Sequence, residues 1–196
     1  MIKYNPNIHH RRSIRLNGYD YSQAGLYFIT ICIKNRECLF GEIENGEMIL
    51  NDAGKMVKNE WLALPRRFTK IQLHEYTVMP NHFHAILEIV GATLVVAQET
   101  VTRNDKGQPQ GIAPTIAPTI APTITPTLGD IMGAFQSIVT VKYIHGVKNH
   151  QWKPFDGKLL QRNYWEHIIR NEKSYNTISE YIINNPKKWN DDKFYK

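Results

Sequence analysis

Cysteine is scarce. Of 196 residues only Cys32 and Cys38 carry a thiol, and they form no CxxC pair. That excludes a disulfide-stapled scaffold and a thiolate metal knuckle, and it fits a reducing, cytosolic compartment. Cys32 falls in an apolar run and reads as a small buried hydrophobe. Long hydrophobic stretches are also missing: none approaches the roughly 18 residues that cross a bilayer. The first twenty residues are polar and basic rather than signal-like. The expectation is a cytoplasmic protein with no membrane partner. Acid is in the minority, with 18 Asp and Glu against 24 Lys and Arg, for a net charge of +6. Such an excess suits a phosphate-bearing partner. What the chain does have is apolar bulk. It is 42% hydrophobic, with 4 Trp, 10 Tyr and 7 Phe, enough for one real core, and the length favours one domain with appendages.

Residues 1 to 25 read as a basic, aromatic-dotted arm. The run His9-His10-Arg11-Arg12-Ser13-Ile14-Arg15, followed by Tyr19 and Tyr21, suits gripping a nucleic-acid backbone or simply being solvated. Leu26 to Ile33 is β-branched and aromatic, a buried strand. Leu39 to Ile43 and Glu47 to Leu50 flank Asn45-Gly46, the strongest short hairpin signal. Asn51 and Asp52 can cap a helix running to Leu64, which Pro65 ends. Two strands follow, from Ile71 to Val78 and from His82 to Val90. From 91 to 128 the pattern breaks, and Ile112 to Thr127 repeats Ile-Ala-Pro-Thr. Proline at every fourth position forbids a helix and removes strand donors, so this stretch reads as a low-complexity insertion. A helix resumes from Gly129 to His145, with Ile131, Ala134, Phe135, Ile138 and Val141 on its apolar side and Gly146 as the stop. Leu159 to Gln161 reads as a short edge strand, and the last helix spans about Asn171 to Asn185 before Pro186.

The stretch Met79-Pro80-Asn81-His82-Phe83-His84 carries the first chemistry. On a strand, side chains alternate faces, so His82 and His84 point one way and Phe83 points into a core. Two imidazoles so placed make half of a divalent-metal site; the plain alternative is polar surface at a strand end. On the last helix Tyr175, Ile178 and Ile182 form an apolar stripe. Tyr181 and Asn185, four apart, lie together along its edge. Packed on the histidine strand, that helix would bring a phenol and an amide to two imidazoles. Such a set suits phosphodiester cleavage by a tyrosine nucleophile with Mg²⁺ or Mn²⁺. Alternatively, Tyr181 packs and Asn185 merely caps the helix.

These residues resemble a known family. Met79 to His84, followed about 100 residues later by Glu180-Tyr181-Ile182-Ile183-Asn184-Asn185-Pro186, is similar to the single-tyrosine HUH transposases, and more closely to the REP-associated tyrosine transposases. Arg12 to Leu16, Gly18 to Tyr21 and Tyr164 to Arg170 also look typical of that group. The resemblance covers the chain except 91 to 128. It implies an α+β, ferredoxin-like βαββαβ core with an antiparallel central sheet, occupying residues 26 to 196. His82 and His84 would be metal ligands, with Asn185 where related transposases carry a glutamine as third ligand. Tyr181 would be the nucleophile, forming a 5′-phosphotyrosine and leaving a 3′ hydroxyl. The implied substrate is single-stranded DNA beside palindromic hairpins, held by Arg11, Arg12 and Arg15, with His167 stabilising the site, touching DNA or playing a structural part. Family members act as monomers or homodimers. Two rivals remain: a hairpin-binding protein that no longer cleaves, and a metal-dependent hydrolase using water, in which Tyr181 is dispensable.

Overall fold

The computed structural model describes residues 15–91 and 126–195. Arg11 and Arg12, and most of the repeat insertion, lie outside the described residues. The elements, in order, are β1 (Gly25–Cys32), β2 (Gly41–Glu44), β3 (Glu47–Leu50), α1 (Asp52–Leu62), α2 (Leu64–Arg67), β4 (Ile71–Val78), β5 (His82–Ile89), α3 (Leu128–Asn149), β6 (Trp165–Ile169) and α4 (Glu172–Asn184). Four strands form one sheet in the order β4-β5-β1-β6, every neighbour antiparallel. With the β2–β3 hairpin set aside, the path β1-α1-β4-β5-α3-β6 is the expected ferredoxin-like βαββαβ core.

Local chemistry accounts for most boundaries. Asn45 and Gly46 both take positive φ (52° and 78°), as a two-residue turn matching strand twist requires. The Asn51 side chain accepts the Gly54 amide and starts α1. Thr127 and Asp130 form a reciprocal capping box on α3. Pro65 does more than end α1, since it sits in the first turn of the short α2. Two expectations for α3 are corrected. It runs through Gly146 to Asn149, because that glycine lets the Trp152 ring close on the helix; a Cβ there would lie 2.1 Å from the ring. Ile131 and Phe135 are buried as expected, joined by Met132, Val139 and Tyr143, whereas Val141 is exposed.

The sheet has two unlike faces. Tyr27, Ile29 and Ile31 of β1 and Phe83, Ala85 and Leu87 of β5 are buried under α1 and α3, where Trp61 packs edge-on with Phe83 and Phe135, themselves tilted on one another, with ring centroids 4.9 to 5.6 Å apart. The opposite face holds a smaller apolar cluster of Ile86, Ile169 and Ile182, over which α4 lies. An irregularity in β4 between Leu73 and Tyr76 marks the His74-Glu75 pair that anchors this helix. Tyr175 donates to Glu75 Oε2 (3.0 Å) and meets His74 Nδ1 (3.1 Å), and Ser179 Oγ donates to the same carboxylate (3.3 Å). These bonds fix α4 in rotation about its axis, and so fix where Tyr181 points.

Candidate active site

Strand alternation places the site. On β5, Phe83 and Ala85 enter the large core while His82 and His84 face α4, both fully buried. The imidazoles lie 4.5 Å apart, centroid to centroid. Each is oriented through Nδ1: His82 faces Asn81 Oδ1 at 2.8 Å, and His84 faces Thr30 Oγ1 of β1 at 2.8 Å. The Asn81 amide cannot turn round, because its Nδ2 donates to the carbonyls of Arg36 (3.2 Å) and Phe194 (2.8 Å). Its oxygen therefore accepts from His82 Nδ1–H, which leaves the lone pair on Nε2. That nitrogen is buried and has no hydrogen-bond partner.

From α4, Tyr181 OH meets His84 Nε2 at 3.2 Å, and Phe28 packs edge-on against the phenol, with centroids 6.1 Å apart. Asn185, one turn on, is buried; its backbone ends the helix and its side chain reaches into the site. Its Nδ2 donates to Asp192 Oδ2 (2.9 Å), while its Oδ1 is buried without a partner. The same Asp192 oxygen accepts from Tyr181 OH at 3.4 Å, and Oδ1 accepts from the Phe194 amide. Among the described residues, His82, His84 and Asp192 are the group whose donor atoms lie mutually within 4.8 Å. Two imidazoles, a carboxylate and an unengaged amide oxygen suit a divalent cation that accepts oxygen and imidazole together. The buried, unpaired His82 Nε2 and Asn185 Oδ1 are what such an ion would satisfy.

Electrostatics follow from burial. Desolvation pushes His82 down to about 4, partly offset by the Asp192 carboxylate. Burial likewise holds His84 well below the ordinary imidazole range, helped by His82 and Lys193. Both imidazoles are neutral at pH 7. Burial, with Asp192 beside it, pushes Tyr181 up to about 12. The phenol is 39% exposed and opens on a groove of about 370 Å³ between α4 and the Lys188–Asp192 segment.

The fold thus brings His82, His84, Tyr181 and Asn185 together. His167 lies apart, exposed on the edge strand β6 opposite Phe28. Arg15 is built into the fold: its guanidinium donates to Tyr164 OH (2.8 Å), approaches Glu166 (3.9 Å) and covers the Tyr21 and Tyr164 rings. Sequence reasoning missed Asp192, Thr30 and the orienting role of Asn81. The alternation of β1 against β5 could have found Thr30, which sits opposite His84. Nothing periodic marks Asp192.

No family model matches the chain. The chain is 43% identical over 201 residues to an uncharacterised protein of Haemophilus influenzae Rd, covering 98% of this chain and 97% of the relative. Its fold is similar to that of a REP-associated tyrosine transposase solved bound to a REP hairpin, with a TM-score of 0.51 and 17% identity over 91% of this chain and 74% of that one. A second structure, from Deinococcus radiodurans R1 and assigned provisionally as a transposase, is more distant (TM-score 0.41, 17% identity, covering 87% of this chain and 95% of that one) and carries no weight. The protein belongs to one family with the Haemophilus influenzae protein, on a fold that it shares with a REP-associated tyrosine transposase.

Proposed function

We propose that the protein is a single-stranded DNA endonuclease and strand-transferase, a tyrosine transposase acting beside palindromic hairpins with Mg²⁺ or Mn²⁺. The observation that carries this reading is the convergence of a phenol, two neutral imidazoles and a carboxylate at one buried point. His82, His84 and Asp192 are the residues that would hold the cation, with Asn185 Oδ1 beside them. When bound, the cation supplies Lewis-acid polarisation of the scissile phosphate.

The chain's own residues do the rest. Tyr181 oxygen attacks phosphorus, and the bond to the 3′ oxygen breaks. The strand's 5′ phosphate is then joined to Tyr181, and the departing strand takes a proton to leave a 3′ hydroxyl. The phenolic proton goes to Asp192 Oδ2, which the hydroxyl already faces. Attack by a 3′ hydroxyl on the phosphotyrosine reverses these events and rejoins DNA without ATP. Asn185 holds Asp192 in place, while Lys193 adds positive charge beside the histidines. The fold shared with a transposase bound to a REP hairpin supports the choice of DNA.

The test is a denaturing gel of the protein with Mn²⁺ or Mg²⁺ and a labelled single strand bearing a palindromic repeat from its own genome, beside Tyr181→Phe. A metal-dependent covalent adduct that vanishes in the variant is expected. Cleavage surviving in Tyr181→Phe would instead mean a water nucleophile, and tight binding without cleavage would mean a hairpin binder.

A further inference from the structure

A second cavity, of about 360 Å³, lies one strand away from the histidines on the same face of the sheet. That volume is within the range of ligand pockets. Its floor includes Thr30, the residue that orients His84. Its outer wall is Trp165 of β6. Thr30 pairs with His84 on one side and with Trp165 on the other, so His84, Thr30 and Trp165 form one row across three strands. With strands about 4.8 Å apart, the indole stands roughly 10 Å from the imidazole.

The lining is unusual for an idle surface. Trp165 is 56% exposed, on an edge strand, although an indole is costly to leave in water. Gln161 and Asn163 bring two exposed carboxamides to the cavity, and neither side chain hydrogen-bonds another described residue. The Gln161 backbone is nevertheless fixed, its amide donating to Cys32 O at 2.8 Å. Lys193 and Phe194 close the side nearest the histidines. The cavity therefore offers an aromatic platform, donor–acceptor amides and a cation, next to the point where a phosphate would react.

From this juxtaposition we infer that the cavity takes one unpaired nucleobase of the strand being cut, stacked on Trp165 and read by Gln161 and Asn163. This rests on the single-stranded DNA reading above and adds to it a source of base specificity. A stacked base supplies affinity whatever its identity, because every base has a π face. The carboxamides supply choice, since each presents a donor and an acceptor that match some base edges and not others. Lys193 neutralises the phosphate joining that nucleotide to the scissile one. The row spacing sets which base is read: one flanking the cleaved bond, not one within the hairpin stem.

The experiment selects a strand from a pool with a randomised stretch beside a palindromic stem, using the full-length protein with Mn²⁺. The selected strand is then rebuilt with an abasic site at each flanking position in turn, and binding is measured by fluorescence anisotropy. Trp165→Ala is expected to weaken binding of the intact strand about tenfold, within the roughly 5- to 150-fold range of one lost stack, with Trp165→Phe restoring most of it. One abasic position should cost the wild type a similar factor and cost Trp165→Ala nothing further. Gln161→Ala with Asn163→Ala should flatten the base preference at that position, so that strands differing only there bind alike. Because Trp165 is exposed, its variants should melt where the wild type does. If adduct forms but no abasic position matters and Trp165→Ala binds normally, this inference is wrong and the transposase reading survives. If the wild type selects no strand and forms no adduct, both fall together.

Discussion

The two faces of one sheet have been put to opposite uses, and β5 serves both. On one face Phe83, Ala85 and Leu87 are packed beneath α1 and α3 in a core of interlocking rings. On the other, His82 and His84 alternate with them and face α4, among Phe28, Trp189 and Phe194, with His82 Nε2 buried and unpaired. Buried polar atoms without a hydrogen-bond partner occur on both faces, Trp61 Nε1 in the core and His82 Nε2 and Asn185 Oδ1 under α4, but the second face gathers two imidazoles, a carboxylate and a phenol at one point. An alternating strand lets the chain fix the histidine pair in place by anchoring the residue between them in hydrophobic packing. Rigidity is made on one side and spent on the other.

The largest effect should come from breaking that anchor. Phe83→Ala removes a fully buried ring between Trp61 and Phe135, and should lower the unfolding free energy by about 3–5 kcal/mol. Denaturant melts check this. A cost under about 1 kcal/mol would mean that Phe83 does not anchor the pair.

The core face and the histidine face should also separate by pH. His82 is held near 4 in the folded protein by burial, against about 6.5 when unfolded. Below 6.5 the unfolded chain takes up a proton that the folded chain refuses, so stability is full above that value and falls as pH drops towards 4. For His82 the loss is about 3 kcal/mol. Urea titrations in chelator between pH 7 and 4 should show it, and His82→Gln should flatten the slope by one proton. An unchanged slope would mean that His82 is not buried in solution.

How much of this was legible follows the same division. Strands β1, β4 and β5 and the Asn45-Gly46 hairpin could be placed from alternation and turn chemistry, because those signals are local. Of the α3 residues read as its apolar side, Ile131 and Phe135 are buried while Val141 is exposed, because several residues of this helix are apolar all round and spacing alone does not choose between Val139 and Val141. The histidine pair was readable from spacing, and its meeting with Tyr181 and Asn185 followed if α4 packed on β5. Asp192 was not readable. It reaches the site through a 3-10 segment, Pro186–Asp191, whose conformation no periodicity announces. Arg15 reads from sequence as one charge of a basic cluster, and its hydrogen bond to Tyr164, 149 residues away, is a contact that no local signal announces.

A finer cut tests the support beneath the histidines. Asn81 accepts from His82 and is itself held by two carbonyls. Asn81→Ala should leave the core face intact and weaken Mn²⁺ binding about 10- to 100-fold, the usual cost of losing a ligand's orienting partner. Calorimetric titration reads this directly, and an unchanged affinity would mean that the His82 ring is set by packing alone, through Trp189 and Phe194, whose rings lie 6.0 and 4.6 Å away.

The smallest expected effect is the most discriminating. Tyr181 OH lies 3.2 Å from His84 Nε2, within hydrogen-bond reach, and a cation taking that nitrogen must displace it. That hydrogen bond, worth about 0.5–1.5 kcal/mol net, works against metal binding and is absent in Tyr181→Phe. The variant should therefore bind Mn²⁺ about two- to tenfold more tightly than the wild type while forming no covalent adduct. Weaker binding would make the phenol itself a ligand, and the histidine face would then need its oxygen to complete the site. Tighter binding would assign the two groups separate tasks: the imidazoles to the ion, the tyrosine to the strand it cuts.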